Sequence, residues 1–180
     1  MRTTSVILAA AALTATGVAA APALPAARTA MATCRATPAN PLGPYFTAGA
    51  PVRSNVAAGV SGRRLVVTGR VTDTSCRPLR GAVVDLWQAD TSGDYDNTGY
   101  RLRGKQVTTA DGRYTFTTVL PGLYEGRTRH IHLRIRTRDG RELVTQAYLP
   151  GVAQNGSDGF FDPALLARVR GRVATFDVTL

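Results

Sequence analysis

The sequence predicts an all-β fold, an antiparallel β-sandwich preceded by an extended N-terminal arm. Three observations carry that reading. From Arg63 onward, short segments rich in β-branched and aromatic residues recur along the chain. Clusters of Gly, Asp and Pro separate them. Only one stretch, "DPALLARVR" around Pro163 to Arg170, has the makings of a helical turn. Many short strands joined by tight turns are the pattern of sandwiches and barrels.

The strand candidates follow in order. "RRLVVTGRVTD" begins the sandwich at Arg63 and ends near the turn signal "SCRP". "GAVVDLWQAD" runs into "TSGD", and "GRYTFTTVL" emerges from "ADGR" and stops at "LPG". "RHIHLRIRT" is closed by "RDGR", "ELVTQAYL" by "LPGVAQNGSDG", and "GRVATFDVTL" ends the chain. With 180 residues and 44% hydrophobic content, the chain suits one domain with an ordinary core. Residues 33–62, rich in Pro, Gly and Ala, read as the arm, and residues 63–180 as the sandwich. No internal repeat is visible.

Residues 1–32 read as a targeting segment. "MRTTSVILAAAALTATGVAAAPALPAA" has one arginine, an apolar run from Val6 to about Leu13, then small residues, the layout of a secretory signal. Val18-Ala19-Ala20 and Ala30-Met31-Ala32 both offer a cleavage site. The apolar run is too short for a membrane span of ~20 residues. Export implies an oxidising compartment, where Cys34 and Cys76 read as one disulfide pinning the arm to "TDTSCRPLRG". The alternative of a lipid-anchored Cys34 is weakened by the preceding "AMAT", a poor lipoprotein signal.

The charge balance, 22 Lys+Arg against 12 Asp+Glu, gives a formal net charge of +10. Nearly all of it is scattered arginine, a solvated surface whose summed field attracts small anions. No aromatic-plus-basic motif accompanies it, which argues against nucleic acid as a partner.

The chain's two histidines, His130 and His132, sit together in "GLYEGRTRHIHLRIR". Residues two apart on a strand share a face. Ile131, Leu133 and Ile135 then point into the core, while the histidines point together to the other side and can converge on one ion. The plain alternative is a pair of hydrogen-bonded surface histidines. Zinc would want further nitrogen or sulfur donors. A ferrous facial triad needs a carboxylate, for which Asp85, Asp90, Asp94 and Glu125 are candidates. Tyr95, after "WQADTSGD", and Tyr124, after "LPGL", offer phenolate oxygens instead, which a highly charged cation stabilises. Each tyrosine would equally serve as core filling.

Taken in order, "GAVVDLWQADTSGDY", "VTTADGRYTFTTVLPGLYEGRTRHIH" and "LVTQAYLPG" resemble the intradiol ring-cleavage dioxygenases. The likeness is to their short secreted branch, relatives of protocatechuate 3,4-dioxygenase and catechol 1,2-dioxygenase. It runs from about Thr37 to Leu180 and takes in "GPYF" at Gly43–Phe46 and the closing "ATFDVTL". The W-Q-A-D-x-x-G-x-Y block, the P-G-x-Y turn and the R-x-x-H-I-H block are specific together, and none is so alone.

The resemblance implies a transthyretin-like sandwich holding one Fe(III) through Tyr95, Tyr124, His130 and His132. It implies that Tyr124 yields to an incoming catechol and takes a substrate proton. Arg127 would stabilise negative charge on the substrate, with Gln146 behind the site and Tyr148 lining it. The partners are then a catechol-type small molecule and O2. Cleavage between the two hydroxyl-bearing carbons gives a cis,cis-muconate-type dicarboxylate. Only five residues separate Tyr124 from His130, so the iron should be open to larger catechols. Neither the helical dimerisation domain of catechol dioxygenases nor a carbohydrate-binding module is expected here. Leu42 stands before "GPY" where relatives commonly carry an acid. Two alternatives belong to other classes: a non-catalytic transthyretin-like sandwich that binds small molecules or carbohydrate, and a secreted HxH protein for Cu(II) or Zn(II).

Overall fold

The computed structural model describes residue 1 and residues 33–180; apart from Met1, the signal segment read in residues 1–32 lies outside the described residues. The strands are β1 (Arg64–Thr72), β2 (Val83–Trp87), β3 (Arg103–Val107), β4 (Arg113–Val119), β5 (His130–Arg136), β6 (Glu142–Tyr148), β7 (Arg168–Arg170), β8 (Val173–Thr175) and β9 (Val178–Thr179). One sheet has the order β4-β1-β8-β7, with β9 also on β1, and the other has the order β3-β2-β5-β6. The chain is all-β, with two sheets around one apolar core.

Alternation builds that core. Leu65, Val67 and Val71 of β1 and Tyr114 and Phe116 of β4 meet Val84 and Leu86 of β2 and Ile131, Leu133 and Ile135 of β5. Each such side chain contributes roughly 1.5–3 kcal/mol by leaving water. The β3-β2-β5-β6 sheet is antiparallel throughout. The other is mixed, because β8 and β9 run parallel to β1 while β4 runs antiparallel. That corrects the expectation of a wholly antiparallel sandwich. The chain end returns along β1 in the same direction, and strand propensity carries no information about direction.

Two strands lie where none was expected. "RGKQV" of β3 has little β propensity; it is held by its full register with β2 on one side and a bridge from Val52 to Lys105 on the other. In "DPALLARVR" a single 3-10 turn covers Pro163–Leu165, started by the Asp162 carboxylate accepting from Ala164 N–H at 2.8 Å. The rest becomes β7, paired with β8, so the helical expectation holds for one turn only.

Residues 33–62 contain no strand or helix and attach to both sheets by isolated bridges and backbone hydrogen bonds. Asn40 N–H donates to Val144, Lys105 N–H to Pro51, and Thr117 N–H to Ser54. Cys34 and Cys76 form a disulfide with Cα atoms 5.2 Å apart and 42 residues of separation. Closing a loop of that size is worth roughly 3–4 kcal/mol in the chain-entropy account. Within this segment, residues 41–46 cross the outer face of β2, β5 and β6. That covering matters for function, because it turns a solvent face into a second, polar interior.

Candidate metal centre

His130 and His132 stand on the outer side of β5, opposite Ile131 and Leu133, as the alternation required. They are not surface histidines, being only 4% and 3% exposed. The Trp87 ring stacks on His132 at 4.7 Å and 8°. Gly43, at φ +73°, brings backbone against it so closely that a Cβ would sit 3.3 Å from His132 Cε1. A residue with a side chain would strain both the dihedral and the contact, so the glycine of "GPYF" lets the covering segment close over the ring.

Tyr95 and Tyr124 arrive on two turns whose backbones touch. A Cβ on Gly93 would lie 1.9 Å from the Leu123 carbonyl, and one on Gly122 would lie 2.5 Å from Gly93 N. Gly122 N–H donates to Asp90 O at 2.6 Å, and Asp90 folds its own turn by accepting from Ser92 and Asp94 N–H. Buried Gln88 joins the end of β2 to β4 through Val119 O and Thr118. The two glycines therefore allow the tyrosine loops to share one edge of the site.

Three donor atoms converge. His130 Nε2 lies 3.2 Å from His132 Nε2 and 3.2 Å from the Tyr95 hydroxyl. The His130 Nδ1 sits 2.7 Å from the Thr128 carbonyl, which can only accept, so Nδ1 carries the proton and Nε2 offers its lone pair. His132 Nδ1 is buried with no partner among the described residues. Tyr124 is set edge-on to Tyr95, with ring centroids 5.5 Å apart. Its hydroxyl meets Tyr45 OH at 2.5 Å and donates to Glu125 at 2.7 Å. Tyr124 thus adjoins the group of three while its oxygen is engaged elsewhere.

Burial pushes His130 down to about 4 and His132 well below its ordinary value, so both rings are neutral and ready to ligate. Burial raises the Tyr95 phenol, and the charges of Arg127 and Arg103 offset only part of it. Hydrogen bonds to Tyr45 and Glu125 raise the Tyr124 phenol. Two neutral nitrogens and two phenols that the protein alone will not ionise form a set that a highly charged hard cation would complete. The donors fit Fe(III). A carboxylate-based set does not assemble: among the described residues no cluster of three or more His, Cys, Asp or Glu can hold a metal. Asp85 pairs with Arg136 at 3.1 Å and Asp90 with Arg101 at 3.2 Å.

Arg127 is moored on three sides. Its Nε donates to both Asp158 oxygens at 2.9 and 2.8 Å, its Nη2 donates to Gln146 Oε1 at 2.8 Å, and Phe160 lies 4.7 Å beneath the guanidinium. Asp158 also accepts from Thr128 and Phe160 N–H. Burial raises its carboxyl, but those bonds outweigh burial and hold it below the usual carboxylate range. Gln146 donates to Pro41 O, and the single Tyr148 O–H lies 2.6 Å from Phe160 O and 3.0 Å from Gln146 Oε1, within donating reach of either. Sequence reasoning missed Asp158, whose "NGSDG" context reads as a plain loop. It also gave no role to Tyr45, which stacks on Tyr95 at 4.5 Å, although "GPYF" had been noticed.

Comparison with known proteins bears on this geometry. A family model described as Dioxygenase matches residues 42–177. The chain is 33% identical over 147 residues to a chlorocatechol 1,2-dioxygenase from Rhodococcus opacus, covering 64% of this chain and 57% of that one. It is 37% identical over 108 residues to the protocatechuate 3,4-dioxygenase beta chain of Burkholderia cepacia, covering 50% and 46%. The chain spans about half the length of the curated relatives it matches. Among solved structures, the dioxygenase domain of a dioxygenase–carbohydrate-binding fusion from Streptomyces sp. SirexAA-E superposes with a TM-score of 0.77 at 45% identity, over 81% of this chain and 98% of that one. An intradiol ring-cleavage dioxygenase from Tetranychus urticae superposes with a TM-score of 0.75 at 28% identity, over 81% and 94%. The matched region contains Tyr95, Tyr124, Arg127, both histidines and Gln146, and the chain belongs to the intradiol ring-cleavage dioxygenase family.

Proposed function

We propose that this protein is a secreted intradiol dioxygenase that holds one Fe(III) through Tyr95, Tyr124, His130 and His132 and cleaves catechol-type rings with O2. The sandwich is then a transthyretin-like catalytic domain, residues 63–180, with residues 33–62 as an arm over the site and residues 1–32 as the export signal. The observation that carries the reading is the approach of Tyr95 OH, His130 Nε2 and His132 Nε2 to within 3.2 Å contacts in a buried pocket. The disulfide suits an oxidising compartment. No helix among the described residues is long and apolar enough to cross a membrane.

Held by Tyr95, Tyr124, His130 and His132, Fe(III) would supply Lewis-acid chemistry that makes a catechol ring reactive toward O2. The rest falls to the chain. Tyr124 accepts one catechol proton at its phenolic oxygen, with Tyr45 OH at 2.5 Å and Glu125 at 2.7 Å to share it. Arg127 stabilises the substrate oxygen that gathers negative charge. Asp158 and Gln146 hold it in place, so no reorganisation is needed at that moment. Stacked Trp87 and Tyr45 keep water from the histidines and Tyr95. Leu42, Leu123 and Phe160, all exposed, border the site and suit catechols with apolar substituents. The product is a cis,cis-muconate-type dicarboxylate.

The test is direct. Full-length protein loaded with iron should show visible phenolate charge-transfer absorption, consume one O2 per catechol and yield a product heavier by O2. Tyr124→Phe should keep the fold, lose part of that absorption and turn over at least about tenfold more slowly. A colourless protein that binds only zinc, or an unchanged spectrum and turnover in Tyr124→Phe, would refute the assignment.

A further inference from the structure

A second cleft shares none of the metal centre's residues, although its Arg129 is the chain neighbour of His130. It has a volume of about 260 Å³ and opens where β1 begins, β4 and β6 end and β7 passes. Leu65, Leu120, Leu149, Val152 and Val169 form an apolar patch on one part of its wall, and Pro150, Gly151 and Gly171 add backbone polar surface beside it. Two arginines, Arg63 and Arg129, complete it. Some arginines on the sheets have an acid partner, as Arg134 has Glu142 at 2.8 Å and Arg168 has Asp177 at 2.8 Å. The two in the cleft have none among the described residues. Arg63 makes one long bond, from Nη2 to Gly171 O at 3.4 Å, and Arg129 Nε is buried without an acceptor.

Two guanidinium groups without counter-charge beside an apolar wall form a defined chemistry. A guanidinium binds a carboxylate through paired N–H donors, and its attraction grows where apolar walls exclude water. The wall gains by covering hydrocarbon. The volume falls just below the ~300–1,000 Å³ of sites for drug-sized ligands, which limits the occupant to a small molecule. We propose that this cleft is a binding site for a small carboxylate with an apolar body, gripped by Arg129 and Arg63 over Leu65, Leu149 and Val169.

Titration of the full chain with hexanoate and with benzoate, followed by backbone NMR, tests this without reference to ring cleavage. Saturable one-to-one shifts are expected at Leu149, Val152 and Val169, with hexanol binding roughly tenfold or more weakly, since it lacks the charge. The stronger of the two acids tells whether the wall is shaped for an aliphatic or an aromatic body. Arg129→Gln should weaken the acid at least tenfold and Arg129→Lys less. Arg63→Gln, at an exposed position, gives an independent loss should Arg129→Gln not fold. Absence of saturable shifts, hexanol equal to hexanoate, or binding unchanged in both glutamine variants would overturn the proposal. So would loss of binding in Arg127→Gln, which would put the acid at the metal centre.

Discussion

The candidate metal centre has a half built on strands and a half built on loops, and they behave as different materials. His130, His132 and Gln146 stand in a continuous ladder, His130 opposite Tyr148 and His132 between Trp87 and Gln146. All three are nearly inaccessible to solvent. Tyr95 and Tyr124 stand on turns held by glycine contacts, and Tyr124 is half-exposed with its oxygen shared between Tyr45 and Glu125. The two imidazole nitrogens are fixed by the sheet, and the Tyr124 oxygen is left where it can exchange partners. On the proposed reading, in which Tyr124 both binds a cation and receives a proton, the second kind of support suits it.

The sharpest way to break the strand half is His132→Ala. It removes a buried nitrogen donor and leaves a gap beside Trp87. Iron content after dialysis should fall at least about a hundredfold in affinity terms, beyond what loss of an outer partner costs. Metal analysis and the visible spectrum report it. Iron retained at one per chain would show that the loops alone carry the metal.

Acid should find the same half in the metal-free protein. His130 has a folded value of about 4 against an ordinary 6.5. Between those values the unfolded chain takes up a proton that the folded chain refuses. Stability therefore falls as the pH drops from about 6.5 to about 4, with roughly 3 kcal/mol of the loss from His130, and His132, also held well below its ordinary value, adds to the fall. Asp96 and Asp158, held below the usual carboxylate range, lose their contributions only under about pH 4 and leave this window clear. Urea unfolding at half-unit steps measures the slope, and His130→Gln should lessen it, leaving the share that His132 contributes. An unchanged slope in that variant would mean His130 is not buried neutral.

Between the two halves lies Arg127, and Asp158→Asn tests how it is held. The carboxamide keeps one acceptor but removes the charge facing the guanidinium, whose side chain is only 20% exposed. A loss of about 2 kcal/mol in kcat/KM is expected with iron content unchanged, part of it in stability. If kcat/KM holds while stability drops, Asp158 serves the fold alone.

The sequence displayed these halves unevenly. Period-two alternation in "HIHLRIR" announced the strand, its core face and the pairing of the histidines, because strand geometry is local. Tyr95 and Tyr124 were visible as phenolate candidates beside carboxylate rivals, and the choice between them, with the role of Arg127, came only through the family's spaced blocks; nothing in "TSGDY" or "LPGLY" says that the two turns touch. Asp158 lies 31 residues from the arginine it holds, and no local pattern encodes that distance. The same holds for β3, whose Arg-Gly-Lys-Gln is made a strand by its neighbour β2. Parallel return of β8 and β9 along β1 is likewise a property of the whole chain path. Burial of the histidines was hidden too, since it depends on residues 41–46 crossing the sheet.

The finest distinction concerns the loop half, and Tyr45→Phe draws it. The substitution keeps the ring that stacks on Tyr95 at 4.5 Å and the edge contact with Tyr124 at 5.2 Å. It removes only the hydroxyl that meets Tyr124 OH. Packing and iron content should therefore stay as they are. Tyr124 keeps Glu125 as its remaining partner, so proton acceptance is slowed rather than abolished. A decrease of about 1 kcal/mol, roughly fivefold, is expected in kcat with KM little changed, the worth of one neutral hydrogen bond. Stopped-flow mixing with catechol would locate the loss in the deprotonation phase. A loss as large as that of Tyr124→Phe would make the two hydroxyls a single unit, and no loss at all would leave Glu125 as the sole keeper of the proton.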